Sequence, residues 1–574
     1  MGIITTNIAH CKDCYKCVRR CPVKAIRVID GHAQVWDELC VHDGSCINVC
    51  PQGAKKVESH LELVQELLRG QAPVIASIAP SFTAVWPRQA KALPEILTQL
   101  GFTAVQETAV AAEVVAQAHR RELLDRKAKG GPLPVITSSC PAVVELIEKH
   151  FPESVELIAK VVSPMILHGY MLKEQYGPDS RVVFIGPCVA KKAEMHIEEH
   201  RGSIDAVLTF TELEELCQGA SLDLSGTAGD FSPPHPNLAR LFPLEGGLIR
   251  TAGLDPCMLA GGLRAISGIQ ECIEFLTELR QERPANLEMV ELMSCKNGCI
   301  GGPALGSARS LEVRRQRVIH WYEQERKTPA PMAALDEIPR RHYRVRPEAQ
   351  LPTPSEEEIR KILAQIGKFS PEDELNCGAC GYDTCREKAI AVYRKAAEIE
   401  MCIPYMRKRA ESLANVIMES IPNGIVVCDR DLNIVSLNPA AEKMFLCKLD
   451  QVKGKKLGYL LDPKHFRQAL STEELTIVEV AYPNYNLTTK QYILYVKQEG
   501  IVIGIFVDIT QEQRQQAKLT SLRQETLLKA QEVIDRQMRV AQEIAGLLGE
   551  TTAETKVLLT RLTNFIREEG NGHG

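Results

Sequence analysis

From about residue 70 to 325 the chain alternates short β-rich apolar runs with longer helical stretches. This is the rhythm of an α/β domain. The runs include "PVIASIAP", "LPVITSS", "RVVFIGP" and "IDAVLTF", and the pattern predicts strands at 134–137, 181–185 and 288–293. Residues 411–512 read differently. Two strands joined at "DRDLN", then helices, then an antiparallel pair in "QYILYVKQEGIVIGIFVDIT" predict a small α+β module. From 513 to 574 the pattern is helical. Leu527, Ile534, Ala541 and Leu548 recur every seven residues, with Ala530 and Ile544 between them. That is either a coiled-coil seam serving output or helices packed on their own domain.

The segments between these patterns complete the organisation. Residues 1–60 hold a degenerate repeat, "CKDCYKCVRRCP" and "CVHDGSCINVCP". Residues 326–357 carry Pro329, Pro331, Pro339, Pro347, Pro352 and Pro354, the composition of a linker or extended arm. A compact four-cysteine segment occupies 358–405. At 574 residues several domains are expected. The terminal helices are too short for a catalytic kinase domain, and no glycine-rich phosphate loop is present.

Composition narrows the classes. Apolar residues make up 45% and charged residues 25%, as in an ordinary globular protein, and the formal net charge is −5. Nothing there favours nucleic acid or an anionic membrane surface as a partner. No run reaches the ~18 apolar residues of a membrane span, and "MGIITTNIAHCKDC" lacks a signal peptide's charged start and apolar core. The expected location is cytoplasmic.

Twenty cysteines change the picture. In a reducing compartment, spaced groups are metal ligands or catalysts rather than disulfides. Cys217, Cys257, Cys272, Cys428 and Cys447 fall outside any group and read as small buried hydrophobes. Cys11, Cys14, Cys17 and Cys21, followed by Pro22, have the C-x2-C-x2-C-x3-C-P spacing of bacterial-type ferredoxins. The second half gives Cys40, Asp43, Cys46 and Cys50, with an aspartate at the second place. Asp43 either ligates iron or leaves the corner of a three-iron cluster empty; His42 is a less well placed substitute. The usual exchange would give Cys11, Cys14, Cys17 and Cys50 one cluster and Cys21, Cys40, Asp43 and Cys46 the other. Cys377, Cys380, Cys385 and Cys402 form a further group, fit for an iron–sulfur cluster or for zinc.

Between these lie "TSSCP", "GPCVAKKAE" and "ELMSCKNGCIGGP", each starting where a predicted strand ends. Ligands in open α/β sheets gather at the carboxyl ends of strands, so Cys140, Cys188, Cys295 and Cys299 could converge. Pro141 suits the first turn of a helix whose N–H groups would favour an anionic thiolate. Four soft thiolates select iron–sulfur or zinc.

In order and over residues 70–325, these three pieces resemble the signature motifs of the iron-iron (FeFe) hydrogenases. The resemblance implies that Cys140, Cys188, Cys295 and Cys299 hold a 4Fe–4S cubane. Cys299 would also bridge to a two-iron centre carrying CO, cyanide and a dithiolate amine. The cubane and this centre together form the H-cluster. It further implies that Lys191 hydrogen-bonds a cyanide, with Glu194 three residues on. Met293 would pack beside the bridging CO, and Ala79, Pro80 and Ser81 would contact the other cyanide. Residues 411–512, with "NPAAEKMF", resemble a PAS sensor domain, and residues 358–405 a small iron–sulfur domain.

The departures matter as much. Turnover hydrogenases carry a proton-passing cysteine where Ser139 stands, and a methionine where Gly186 stands. Residues 107–118, "ETAVAAEVVAQA", lack the paired glutamates of the usual proton path. Glu291 and Glu245 are candidate remaining steps. The expected protein is a slow H2-sensing FeFe hydrogenase with about three additional iron–sulfur clusters and reversible H2 ⇌ 2H+ + 2e− chemistry. Its expected partners are H2 and protons, a redox protein such as ferredoxin, a second copy in a homodimer, and a kinase or phosphatase in trans. The competing expectation is an iron–sulfur electron-transfer or cluster-assembly relative lacking the two-iron centre.

Overall fold

The computed structural model describes residues 2–222, 228–254, 262–306, 309–325, 338–346, 350–548 and 552–568. The chain divides into two units, Met1–Met406 and Arg407–Gly574.

The first unit opens with two small antiparallel pairs. β1 (Ile4–Thr6) pairs with β4 (Lys55–Val57), and β2 (Ile26–Ile29) with β3 (His32–Val35). Two parallel sheets follow. In one the order is β6 (Ala104–Glu107), β5 (Val74–Ile78), β8 (Arg181–Gly186), β9 (Ala206–Thr209). In the other it is β10 (Leu263–Ser267), β11 (Met289–Met293), β7 (Val135–Ile136). The three predicted strands form, but on two sheets rather than one. β5, β6, β9 and β11 are buried along their whole length, because helices cover both faces of a parallel sheet. That is why these runs are continuously apolar rather than alternating.

Local signals set the helix starts. Ser163 caps the helix Pro164–Tyr176, and Thr209 with Glu212 forms a reciprocal cap on Phe210–Gly219. The two acids of "ETAVAAEVVAQA" serve the fold. Glu107 pairs with Arg240 at 2.6 Å inside the core, and Glu113 accepts the backbone N–H groups of Asn237 and Ala239.

Described residues of the proline-rich stretch are not a free tether. Ile338–Arg346 lies along the first unit as a strap, with Arg341 buried and Tyr343 donating its hydroxyl to the Val161 carbonyl at 2.8 Å. The four-cysteine segment packs the helices Glu356–Gln365 and Cys385–Tyr393 around Ile359, Leu363, Ile366, Ala389 and Cys402.

The second unit holds a five-stranded antiparallel sheet. Its order is β13 (Ile434–Leu437), β12 (Gly424–Asp429), β16 (Ile501–Asp508), β15 (Leu487–Val496), β14 (Thr476–Tyr482). The expected antiparallel pair is therefore three strands. β15 alternates buried and half-buried positions, the mark of a sheet with one face on the core. That core gathers Phe445, Phe466 and Phe506. Two helices, Thr510–Leu548 and Thr552–Glu568, end the described chain. Leu527 and Ile534 are half-buried, while Ala541, Ile544, Leu519, Leu522 and Val540 stay exposed. Cys217, Cys272 and Cys428 are buried as expected, but Cys447 is only half-buried. Cys257 lies outside the described residues.

Candidate active site

Three strand ends converge on one cavity. After β7 the chain runs through Thr137, Ser138 and Ser139 to Cys140, and Pro141 takes the first turn of the helix Pro141–His150. After β8 come Pro187 and Cys188, and after β11 come Ser294 and Cys295. Cys299 closes the following loop. The cavity they share is lined by all four cysteines and by Ser139, Lys191, Glu291, Met293, Ala79, Pro80 and Ser81. Ala79–Ser81 arrive because β5 pairs with β8, and the Ala79 N–H donates to the Ile185 carbonyl at 2.8 Å. Glu194 stands behind Lys191 instead of on the cavity. Glu245 is exposed and accepts the Ser267 hydroxyl.

Burial dominates the electrostatics. It pushes the Cys188 thiol up to about 12, helped by Cys140, and raises Cys140, Cys295 and Cys299 as well. Four half-buried thiols that line one cavity and resist ionisation alone are a soft donor set that a metal would deprotonate. Two hydroxyl oxygens on the cavity, Ser81 Oγ and Ser139 Oγ, are buried without a hydrogen-bond partner. Lys191 donates to Ser163 Oγ at 2.9 Å and Glu194 Oε2 at 2.6 Å. An ammonium has three protons, so one donor is left for the cavity. The residues fit the cubane and the two-iron centre that the motifs imply.

Ser138 and Ser139 are neighbours with different fates. Ser138 Oγ donates to the Val161 carbonyl at 2.6 Å, and the Ser138 N–H donates to His119 Nε2 at 3.1 Å. Only Ser139 is free to face the cavity. Glu291 accepts the N–H groups of Leu248 and Ile249 at 3.2 and 3.3 Å, yet burial lifts its carboxyl to about 8.

Sequence reasoning missed Phe184. It lies two residues before Gly186 on the same face of β8 and lines the cavity. A Cβ on Gly186 would come within 2.7 Å of its ring. Only the spacing i, i+2 in "FIGPC" hinted at this.

The other cysteines that the spacing grouped gather at three further places. Cys11, Cys14, Cys17 and Cys50 ring one small cavity. Burial raises the pKa values of Cys21, Cys40, Cys46 and Asp43; Asp43 adds to the rise at Cys21, Cys21 and Cys46 add to it at Cys40, and Cys21 and Asp43 add to it at Cys46. Asp43 also reaches the active-site cavity, because Gly44 abuts Pro303. His42 is committed elsewhere, its Nδ1 lying 2.6 Å from Glu145 Oε2.

Cys377, Cys380, Cys385 and Cys402 share a third cavity with Lys368 and Lys388. Four thiols on one cavity are a soft donor set for an iron–sulfur cluster or for zinc. Burial lowers Lys388 to about 8, while the thiols of Cys380 and Cys402 oppose that shift. Tyr382 joins this segment to Cys21: its ring packs in the core of the first module, 6.0 Å from Lys24 Nζ.

Residues 72–258 and 260–303 match the family model "Iron only hydrogenase large subunit, C-terminal domain". Residues 373–404 match "Putative Fe-S cluster", and 418–514 match "PAS fold". A subunit of the NADP-reducing hydrogenase of Solidesulfovibrio fructosivorans is 26% identical over 372 residues, covering 52% of this chain and 64% of that protein. Iron hydrogenase 1 of Clostridium pasteurianum is 26% identical over 367 residues, with the same coverage. A cytosolic Fe–S cluster assembly factor of Eremothecium gossypii is 26% identical, covering 42% of this chain and 68% of that one. The chain thus spans less than two thirds of the two hydrogenase relatives' own length. A solved FeFe-hydrogenase of Chlamydomonas reinhardtii aligns at 20% identity and a TM-score of 0.43, over 50% of this chain and 99% of that one.

Proposed function

We propose that this FeFe-hydrogenase-like chain with a PAS domain is a slow, H2-sensing hydrogenase. The convergence of Cys140, Cys188, Cys295, Cys299 and Lys191 on one cavity carries the reading. Those cysteines would hold a 4Fe–4S cubane, and Cys299 would also bridge to the two-iron centre. When bound, that centre supplies the heterolytic chemistry of H2 ⇌ 2H+ + 2e−. The chain does the rest. Lys191, fixed by Ser163 and Glu194, offers its third proton to an anionic ligand such as cyanide. Ala79, Pro80 and Ser81 form the opposite wall, and Met293 packs at the end of β11.

Protons leave by this chain's own groups. Ser139 Oγ rotates to accept and pass a proton, and Glu291, held neutral by burial below about pH 8, takes the next step toward exposed Glu245. Electrons go to the Cys21, Cys40, Asp43 and Cys46 site beside the cavity. From there they reach the Cys11, Cys14, Cys17 and Cys50 site and the Cys377, Cys380, Cys385 and Cys402 site. A soluble ferredoxin is a suitable external partner. The redox state would be passed on through the PAS domain and terminal helices of a homodimer, in the cytoplasm, to a kinase or phosphatase in trans.

One observation favours a second reading. The cluster assembly factor shares 26% identity and 68% of its length with this chain. A non-hydrogenase relative would lack the two-iron centre. Infrared spectroscopy of the matured protein separates the two: CO and cyanide bands are expected, and their absence would overturn the hydrogenase reading. Cys188→Ala should remove those bands and spare most of the other iron.

A further inference from the structure

The two groups that fix the Lys191 ammonium lie on different elements. Ser163 opens the helix Pro164–Tyr176, and Glu194 ends the short helix Ala190–Glu194. The strap Ile338–Arg346 holds the surroundings of both. Tyr343 donates to the Val161 carbonyl, two residues before Ser163. Arg341 Nη1 stands 3.6 Å from Glu194 Oε1, the carboxylate oxygen that Lys191 does not use and that has no other hydrogen-bond partner. The same guanidinium lies 4.8 Å from the centre of the Tyr343 ring and 3.7 Å from Glu148 Oε2. Glu148 belongs to the helix that begins beside Cys140, and it accepts the Arg344 N–H at 3.1 Å.

Charge decides what this arrangement does. Alone with Lys191, the buried Glu194 carboxylate would neutralise the ammonium and weaken its pull on a further anion. Arg341, itself buried, shares that carboxylate, while Glu148 is shared between Arg341 and Arg346; the three cations and two carboxylates leave one net positive charge, with Arg341 the cation at Glu194. We propose that Arg341 is a positioning residue that sets the strength of the Lys191 contact through Glu194, and that the strap is therefore part of the active site. This rests on the hydrogenase reading.

The test compares Arg341→Met, Arg341→Lys and Arg346→Met in the full chain after maturation with the two-iron centre. Arg346 is the control: it pairs with Glu148 on the same strap at 3.4 Å and does not face Glu194. Infrared spectra and two-iron content are read. Arg341→Met is expected to move a cyanide band to lower wavenumber and to reduce two-iron retention about three- to tenfold, part of one charge-assisted hydrogen bond. Arg341→Lys should restore the band, and Arg346→Met, which acts on Glu148 and not directly on Glu194, should move it less than Arg341→Met does. Equal effects of Arg341→Met and Arg346→Met, or an unmoved cyanide band in Arg341→Met, would overturn the proposal. Absence of all bands in the wild type would instead overturn the hydrogenase reading.

Discussion

Glu291 Oε1 receives the Leu248 N–H at 3.2 Å, and the carboxyl is nevertheless pushed up to about 8. Burial outweighs the donors. A carboxyl whose folded pKa exceeds its ordinary value of 4.5 keeps its proton in the fold and loses it on unfolding. Its stabilising contribution is complete below about pH 4.5 and is lost as pH rises through 8. Relative to Glu291→Gln, the wild type should lose about 1.4 kcal/mol per pH unit across that window. Calorimetric Tm values at several pH values check it; a pH-independent gap between the two proteins contradicts it. Glu291→Gln should also slow H2 evolution, by up to the ~10²-fold scale of a lost general acid.

Ser139 has an ionisation far from neutrality, where a thiol at ~8.5 would be close to it. Ser139→Cys is expected to raise H2 evolution with an artificial reductant only modestly, because Glu107 and Glu113 are tied to Arg240 and to backbone N–H groups. A rate equal to that of fast hydrogenases would show that one residue throttles the site.

In the proposed cluster site of Cys21, Cys40 and Cys46, Asp43 would put a harder donor than thiolate at one corner. Oxidised wild type should show a three-iron signal in electron paramagnetic resonance, and Asp43→Cys should suppress it. A wild type silent under every oxidant refutes the assignment.

Truncation near residue 405 should leave H2 chemistry intact and give a monomer by light scattering. The exposed Leu519, Leu522, Val540 and Ile544 are removed in that variant. A truncated dimer would place the interface in the first unit.

The gathering of the grouped cysteines was legible because short spacings keep their side chains near one another, whatever the fold. The three strand ends were legible because β-branched runs stop at "SSCP", "GPC" and "SCKNGC". Their division between two sheets was not, since periodicity does not say which strands pair. β14 escaped for a different reason. Its outward Ile477 and Ala481 and inward Thr476 blur the alternation that marked β15. Arg341 was hidden by prolines. A residue's composition neighbourhood says linker, while its burial depends on carboxylates nearly 150 and 200 positions away.

Phe184 and Gly186 are a matched pair in the packing beside the cavity. With the ring where it is, any side chain at 186 begins 2.7 Å from it, well inside contact distance. Phe184 is 3% exposed and borders the cavity, so a larger residue at 186 would press the ring toward the space the site uses. A smaller residue at 184 acquired alone would open a void beside the cavity, and voids in a packed core are destabilising. Each single change therefore carries a packing cost of its own, and the two positions are coupled: a methionine at 186 should cost less stability beside a smaller residue at 184 than beside Phe184.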